Sequence, residues 1–430
     1  MAGQIISYLE QETQQLNEEL ELLRSRFEDF KLRGLKLNMA RGKPAPEQLD
    51  LSNAMFDLVP SGERPLDSTG EDTRNYGLLR GIPEARELMG QILGVPASEV
   101  LASGNSSLAL EYDTVARSML YGVRGSTPWC KLDSVKFLCP SPGYDRHFAI
   151  TESFGIENIE ITLSPDGPDM DAVSRLVETD PAVKGIWCVP KYSNPQGISY
   201  SDEVVRRFAA LKPAAEDFRI FWDNAYAVHD LVEPGEVLLD LREACIKAGS
   251  PDLYYMFAST SKMTFASGGI SALSSSPDNL AEIEKFISLQ NIGPDKVNQL
   301  RHVRLLRDLD GVKAHMRKQA AIIAPKFKMV LDTFSRELEG LGIAQWTSPR
   351  GGYFISIDVL SGTATRTIAL AKEAGVTLTG AGAPFPYGVD KNDRNIRIAP
   401  TYPSVEELAI ASELFCVCVK IAALEQLLGE

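Results

Sequence analysis

Leu16, Leu20, Leu23, Phe27 and Phe30 recur at steps of four and three in a stretch otherwise rich in Glu and Gln. That spacing predicts a helix over residues 5–32 with one apolar stripe, suited either to docking on the protein's own body or to a short coiled-coil seam. Pro44 and Pro46, in "RGKPAPEQLDLS", end the pattern. From about residue 80 to 270 the rhythm becomes one of alternating helices and strands. Helical stretches such as "IPEARELMGQILG" and "DEVVRRFAALKPAAE" separate the short apolar runs "VKFLCP", "VKGIWCVP", "FRIFWD" and "LYYMFAS". Continuous apolar runs of this kind suit strands of a parallel sheet buried on both faces, so α/β organisation is expected.

A helical region spans about 280 to 340. Beyond it, "GGYFISIDV", "VTLTG" and "NIRIAP" read as short strands beside helices near 364–375 and 404–428. The last of these helices, containing "ELFCVCVKIAALEQLL", is expected to be amphipathic, with Cys416 and Cys418 as small core residues rather than metal ligands. The predicted division is an N-terminal segment over residues 1–60 that joins a small α+β domain, a large domain over 61–320, and the rest of the small domain over 321–430.

At 430 residues, 44% hydrophobic and 24% charged, the chain has the composition of a soluble globular protein able to bury a sizeable core. Its net charge of −14 argues against nucleic acid or an anionic membrane as partner, because both demand clustered Lys and Arg. Six cysteines without a CxxC pair suit a reducing compartment, and the four histidines form no HExxH. No basic-then-apolar leader opens the sequence and no apolar run reaches about 18 residues, so a cytoplasmic protein is expected.

In open α/β sheets, ligands bind beyond the carboxyl ends of the strands. Polar residues recur at those ends here: Tyr144 after "VKFLCP", Asn194 after "GIWCVP", Asp223 and Tyr226 after "FRIFW", and Lys262 in "STSK" after "LYYMFA". Upstream, Gly104, Asn105, Ser106 and Ser107 precede a helical run. Each has a plain structural reading: a helix cap for the serines, a turn for Asn194, an ion pair for Asp223, a surface charge for Lys262. Together they fit one ligand, pyridoxal 5'-phosphate. It needs an amine for its aldehyde, a carboxylate at its ring nitrogen, donors to its phenolate oxygen, and amides with hydroxyls for its phosphate. In "RNIRIAP", Arg397 faces away from Ile396 and Ile398, and its planar fork suits a substrate carboxylate.

At this point the chain resembles the fold type I, pyridoxal-phosphate-dependent aminotransferases over roughly residues 33–425. The resemblance rests on six motifs in order: "NYGLLRGIPEARELM", "SNPQG", "DNAY", "STSK", "PRGGYF" and "NIRIAP". Within the family, "LNMARGKPAPEQLDLS" and "STSKMTFASGGIS" look most like a divergent bacterial subgroup of aspartate aminotransferases. The resemblance implies a mostly parallel, seven-stranded-type sheet between helices, plus the smaller domain. It implies Lys262 as Schiff-base lysine and proton shuttle, Asp223 at the ring nitrogen, and Asn194 with Tyr226 at the phenolate oxygen. Asn105, Ser106, Ser107 and Ser259 would bind the phosphate and Tyr144 would stack on the ring. Tyr76 would reach the phosphate of the neighbouring subunit in a homodimer. Arg397 would take the α-carboxylate, and Gly42 would line the substrate pocket.

Two departures stand out. Where the family carries a phosphate-binding arginine, eight positions after the lysine, this chain has Ile270, with Thr264 and Ser267 as nearby polar substitutes. No family match supplies a cation for a distal substrate carboxylate; Arg41 and Lys43 are the candidates, and solvent-facing charge is the alternative. The expected reaction is ping-pong transamination between L-aspartate and 2-oxoglutarate, with aminoadipate, aromatic or broad-range substrates as runner-up. Two other classes fit less well. A serine acyl-transferase reading of the S-x-x-K at Ser259–Lys262 lacks a K-T-G strand, and a non-catalytic sensor domain lacks a basic DNA-binding module.

Overall fold

The computed structural model describes residues 6–429; residue 5, the predicted start of the first helix, lies outside them. That helix begins later than its apolar spacing suggests, at Thr13, and runs to Leu32. A separate single turn, Tyr8–Glu10, precedes it, and the Gln15 side chain accepts from the backbone N–H of Glu12 at its start (3.3 Å). All five stripe residues are buried in one cluster with the C-terminal helix Val405–Leu428, so the stripe docks on the protein's own body.

In chain order, β1 (Leu37–Asn38) is followed by the strands of the large sheet. These are β2 (Val100–Ser103), β3 (Lys136–Ser141), β4 (Glu157–Ser164), β5 (Gly167–Pro168), β6 (Val183–Cys188), β7 (Arg219–Asp223), β8 (Tyr254–Ser259) and β9 (Ser271–Ser274). Their spatial order is β2-β9-β8-β7-β6-β3-β4-β5. The central run from β8 to β4 is parallel, while β9 pairs antiparallel with both β2 and β8. The strand beyond the expected seven is β5, a two-residue antiparallel edge. Every residue of β6 and β7 is buried, as continuous apolar runs require when helices cover both faces.

The remaining strands, β10 (Ala344–Trp346), β11 (Ile355–Val359), β12 (Val376–Thr377) and β13 (Asn395–Ile398), build the second region. β10, β11 and β13 form an antiparallel sheet, and β12 pairs in parallel with β1, tying the first part of the chain to the last. The helix Leu309–Leu338 runs unbroken through residue 320 and joins the two regions.

One expectation is corrected. The helix Val405–Leu428 is not amphipathic: every residue from Leu414 to Leu424 is buried, Cys416 and Cys418 included. Helices Thr13–Leu32, Leu309–Leu338 and Ala364–Glu373 pack on it, and along Leu414–Leu424 no face is left for water. Its one buried cation, Lys420, donates to Glu337 Oε2 at 2.9 Å.

Candidate active site

The site forms where β3, β6, β7 and β8 end. Past Ser259, the last residue of β8, the chain turns and places Lys262 Nζ 4.9 Å from the centre of the Tyr226 ring and 6.0 Å from that of Tyr353. The backbone of this turn is fixed from several directions. Tyr353 Oη donates to Lys262 O (3.1 Å), Gln319 Nε2 donates to Met263 O (2.8 Å), and Gln48 Nε2 donates to Tyr353 Oη (3.1 Å). Lys262 itself is half-buried, so its amine stays within reach of a ligand.

Asp223 closes β7 and is buried. Its Oδ2 lies at ion-pair distance, 3.3 Å, from His147 Nε2, and neither that nitrogen nor Asp223 Oδ1 has a hydrogen-bond partner among the described residues. Burial drives His147 toward its neutral form, but Glu111 and Asp223 together outweigh that and push its pKa up to about 9. The imidazole stacks on Trp187 (4.5 Å, 12°) and meets the edge of Tyr144 at 4.9 Å. Tyr144 is the N-cap of the helix Asp145–Ser153; burial pushes its hydroxyl up to about 12, with Lys262 opposing. Burial and then the charge of Asp223 hold the Tyr226 hydroxyl well above the ordinary range.

The turn before the helix Ser107–Tyr121 is the second part of the site. Ser106 caps that helix, its Oγ accepting from Ala109 N at 3.2 Å, so the plain cap reading of Ser106 is correct. The first amides of the helix lack intrahelical acceptors and carry the positive end of its dipole, so a cap and an anion cradle coexist. Ser261 Oγ donates to Asn105 O (2.7 Å) and Asn105 Nδ2 donates to Ser267 O (3.3 Å), which binds this turn to the lysine segment. Ser259 is half-buried at the strand end. Ile270 points into the large core, while Thr264 turns inward and is bonded to Thr260 and to His302 Nε2 (2.9 Å). Of the two polar substitutes, only Ser267 borders the turn.

Arg397 lies on β13, buried, with its guanidinium 5.0 Å from the centre of the Phe354 ring. Nη1 donates to Asp145 Oδ1 (2.9 Å) and to Asn194 Oδ1 (3.3 Å); Nη2 donates to Thr379 Oγ1 (3.3 Å). Asn194 is thus held beside the arginine. Gly42 packs on the same Phe354 ring, where an added Cβ would come within 2.5 Å of Cζ. Lys43 Nζ lies 3.7 Å over the Tyr402 ring, and Arg41 is exposed with no ion-pair partner among the described residues. Tyr76 is 82% exposed. A cavity of about 1160 Å³ lies elsewhere, lined by Trp222, Asn224, Met256 and Lys313, and does not include Lys262.

Sequence reasoning missed Glu111, Asp145, His147, Ser261 and Tyr353. A signal existed for two of them. His147 stands three positions after Tyr144, one helical turn away, and Glu111 falls on the buried stripe of its helix beside Leu110, Thr114 and Val115.

The eight-stranded, mostly parallel sheet with its helices is the fold of the type I pyridoxal-phosphate aminotransferases among the solved structures similar to this chain. The chain matches the aspartate amino-transferase family over residues 11–430 and belongs to it. An aspartate aminotransferase of Corynebacterium glutamicum is 46% identical over 404 residues, covering 94% of this chain and 93% of that protein. The crystal structure of an aspartate transaminase from the same species has a TM-score of 0.96 at 44% identity, covering 98% of this chain and 100% of that one. An α-aminoadipate aminotransferase of Thermus thermophilus, solved with N-(5'-phosphopyridoxyl)-L-leucine, shares the fold alone (TM-score 0.71, 20% identity, 92% and 95% covered). The protein is therefore an aminotransferase. No helix among the described residues is long and apolar enough to cross a membrane.

Proposed function

We propose that this chain transfers an amino group between L-aspartate and 2-oxoglutarate, with pyridoxal 5'-phosphate as cofactor, in ping-pong half-reactions. The observation that carries the cofactor is Asp223 Oδ1, a buried carboxylate oxygen without a donor. A protonated ring nitrogen supplies the missing N–H, and buried acceptors are rarely left without one. The turn of Asn105, Ser106 and Ser107 offers amides and hydroxyls for the phosphate, with Ser259 and Ser261 alongside. Tyr226 and Asn194 are the donors for the phenolate oxygen, and Tyr144 is the ring's stacking partner.

Lys262 would supply the amine for the cofactor's aldehyde. With its amine free, Lys262 Nζ would be the base toward the substrate Cα proton and would hold that proton as its ammonium. The protonated ring, when bound, provides the sink for the electron pair that this proton leaves behind. Arg397 orients the substrate through its α-carboxylate, pre-set by Asp145, Asn194 and Thr379. Arg41 and Lys43, flanking Gly42, are the cations offered to a distal carboxylate, and Arg41 is the freer of the two.

A homodimer belongs to the same reading. Lys296 Nζ donates to Asn75 O (2.6 Å) and Gly77 O (3.0 Å), so the segment is anchored while the Tyr76 ring stays outside, available to a second subunit's phosphate. We take residues 61–320 as the cofactor-binding domain and 1–60 with 321–430 as the substrate-side domain. Free thiols, five of them buried, fit action in the cytoplasm.

An absorption spectrum followed by half-reactions with single amino acids tests the proposal. A visible cofactor band is expected in the wild type and not in Lys262→Ala. Aspartate and glutamate are expected to bleach it. Conversion by aromatic amino acids alone would remove the dicarboxylate assignment.

A further inference from the structure

The helix Ser107–Tyr121 carries a second carboxylate to the floor of the site. Glu111 is 1% exposed, and its Oε2 lies 3.2 Å from His147 Nε2. That same nitrogen is 3.3 Å from Asp223 Oδ2, so one imidazole sits between two buried acids whose donor atoms fall within 4.8 Å of one another. Among the described residues His147 is the only cation at ion-pair distance from Glu111, and neither Glu111 oxygen accepts a hydrogen bond. Breaking a buried ion pair from one side is strongly destabilising, so a carboxylate here needs the imidazole in its charged form.

The groups facing this point come from four elements. They are Asp223 from β7, His147 and Tyr144 from the helix Asp145–Ser153 and its cap, Lys262 from the turn after β8, and Glu111 itself. Burial and the charge of Asp223 push Glu111 up to about 7, while His147 and Lys262 pull it down. A neutral His147 with a bare Nε2 would set a lone pair against Asp223 and favour a proton on that carboxyl. Asp223 would then lose the charge that a cationic ring nitrogen needs.

We propose that Glu111 is a positioning residue of this centre. Its carboxylate keeps His147 protonated, so that the imidazolium engages Asp223 Oδ2 and leaves Oδ1 ionised and free for the cofactor's ring nitrogen. The inference deepens the reading of Asp223 given above and rests on it, but its test does not need the cofactor. The chain has four histidines. Burial pushes His229 down to about 3, His302 down to about 4, and His315 below its ordinary value. One imidazole is therefore left to titrate on the alkaline side, and labelled-histidine NMR of the full, cofactor-free chain can follow it.

In the wild type, one imidazole is expected to stay charged at neutrality and to lose its proton near about 9. Glu111→Gln is expected to move that titration down by about one unit or more, the size of a neighbouring-charge effect. Glu111→Asp, with its carboxylate withdrawn by one methylene, is expected to move it partway and serves if the glutamine variant does not fold. In the loaded enzyme, Glu111→Gln should lower kcat roughly tenfold, as loss of an outer-shell partner does. KM for the amino acid should hold, because Arg397 is untouched. A titration unmoved in both variants overturns the proposal, and so does a wild type with no imidazole charged at neutral pH. A kcat loss without the titration shift also overturns it, since a merely structural role would produce that result. Absence of the visible band in the holoenzyme would sink the cofactor reading and leave this titration standing.

Discussion

β7 has a buried acid at each end, and the two are built differently. Before its first residue, Asp217 accepts from Lys184 Nζ (2.6 Å), Trp129 Nε1 (2.8 Å) and Ser126 Oγ (3.3 Å), so both of its oxygens are occupied. At its last residue, Asp223 has one oxygen at ion-pair distance from His147 and the other buried without a hydrogen-bond partner. Burial is the same in kind, at 4% exposure for each. Spare hydrogen-bonding capacity is what separates them. A closed cluster holds the fold together, and an open one is arranged around something that arrives later.

The contrast is open to direct attack. The largest effect is expected from matched substitutions at the two acids. Asp217→Ala leaves Lys184 buried and uncompensated, and should lower unfolding free energy by about 3–5 kcal/mol while the molecules still folded keep their turnover. Asp223→Asn should weigh the other way: a smaller loss of stability in the cofactor-free protein, because Glu111 still faces His147 Nε2, with kcat down about a hundredfold or more. Denaturant unfolding and steady-state kinetics on both variants check this, and equal losses of stability would collapse the distinction.

Next in size, Gly42→Ala drives a methyl into Phe354, the ring that supports Arg397. KM for both substrates is expected to rise roughly tenfold, within reach of a sub-ångström misplacement.

Smaller still is the pH dependence of the open end. Glu111 and His147 both hold protons more tightly folded than unfolded, so each contributes stability that is full below its unfolded value and lost through its folded one. Unfolding free energy of the cofactor-free chain should therefore fall from pH 4.5 to about 7 through Glu111, and from 6.5 to about 9 through His147. Urea titrations across that range measure it, and Glu111→Gln should remove the lower segment and shrink the upper one, because His147 then holds its proton less tightly. The smallest effect is expected from Arg41→Ala: a few-fold weaker half-reaction with aspartate and none with alanine. Equal loss for both amino acids would take Arg41 out of the side-chain site.

Much of the large sheet was legible because its strands are continuous apolar runs that stop at conspicuous polar residues. Asn194, Asp223 and Lys262 stand at such stops, and so the sequence alone could group them. Glu111 and His147 were not legible in the same way. Each sits on a helix face that reads as ordinary core, and they meet Asp223 only once both helices pack on the sheet. Tyr353 and Ser261 escaped for a related reason: their roles lie in hydrogen bonds to backbone atoms, which leave no side-chain pattern. The C-terminal helix misled through Lys420 and Glu425, whose charges suggest a wet face. In the folded chain Lys420 is paired with Glu337, and Glu425 reaches Arg366 at 2.8 Å. The late start of the first helix was invisible because nothing in residues 6–12 breaks a helix outright.

The pairing of β1 with β12, and of the first helix with the last, sets a timetable for synthesis. A chain leaving the ribosome displays the stripe from Leu16 to Phe30 long before residues 405–428 exist to cover it. The central sheet, closed by residue 274, has all its strands available well before then. Arg397 and the last helix come late, so a nascent chain can carry the lysine and both acids before it has the arginine proposed to meet the substrate.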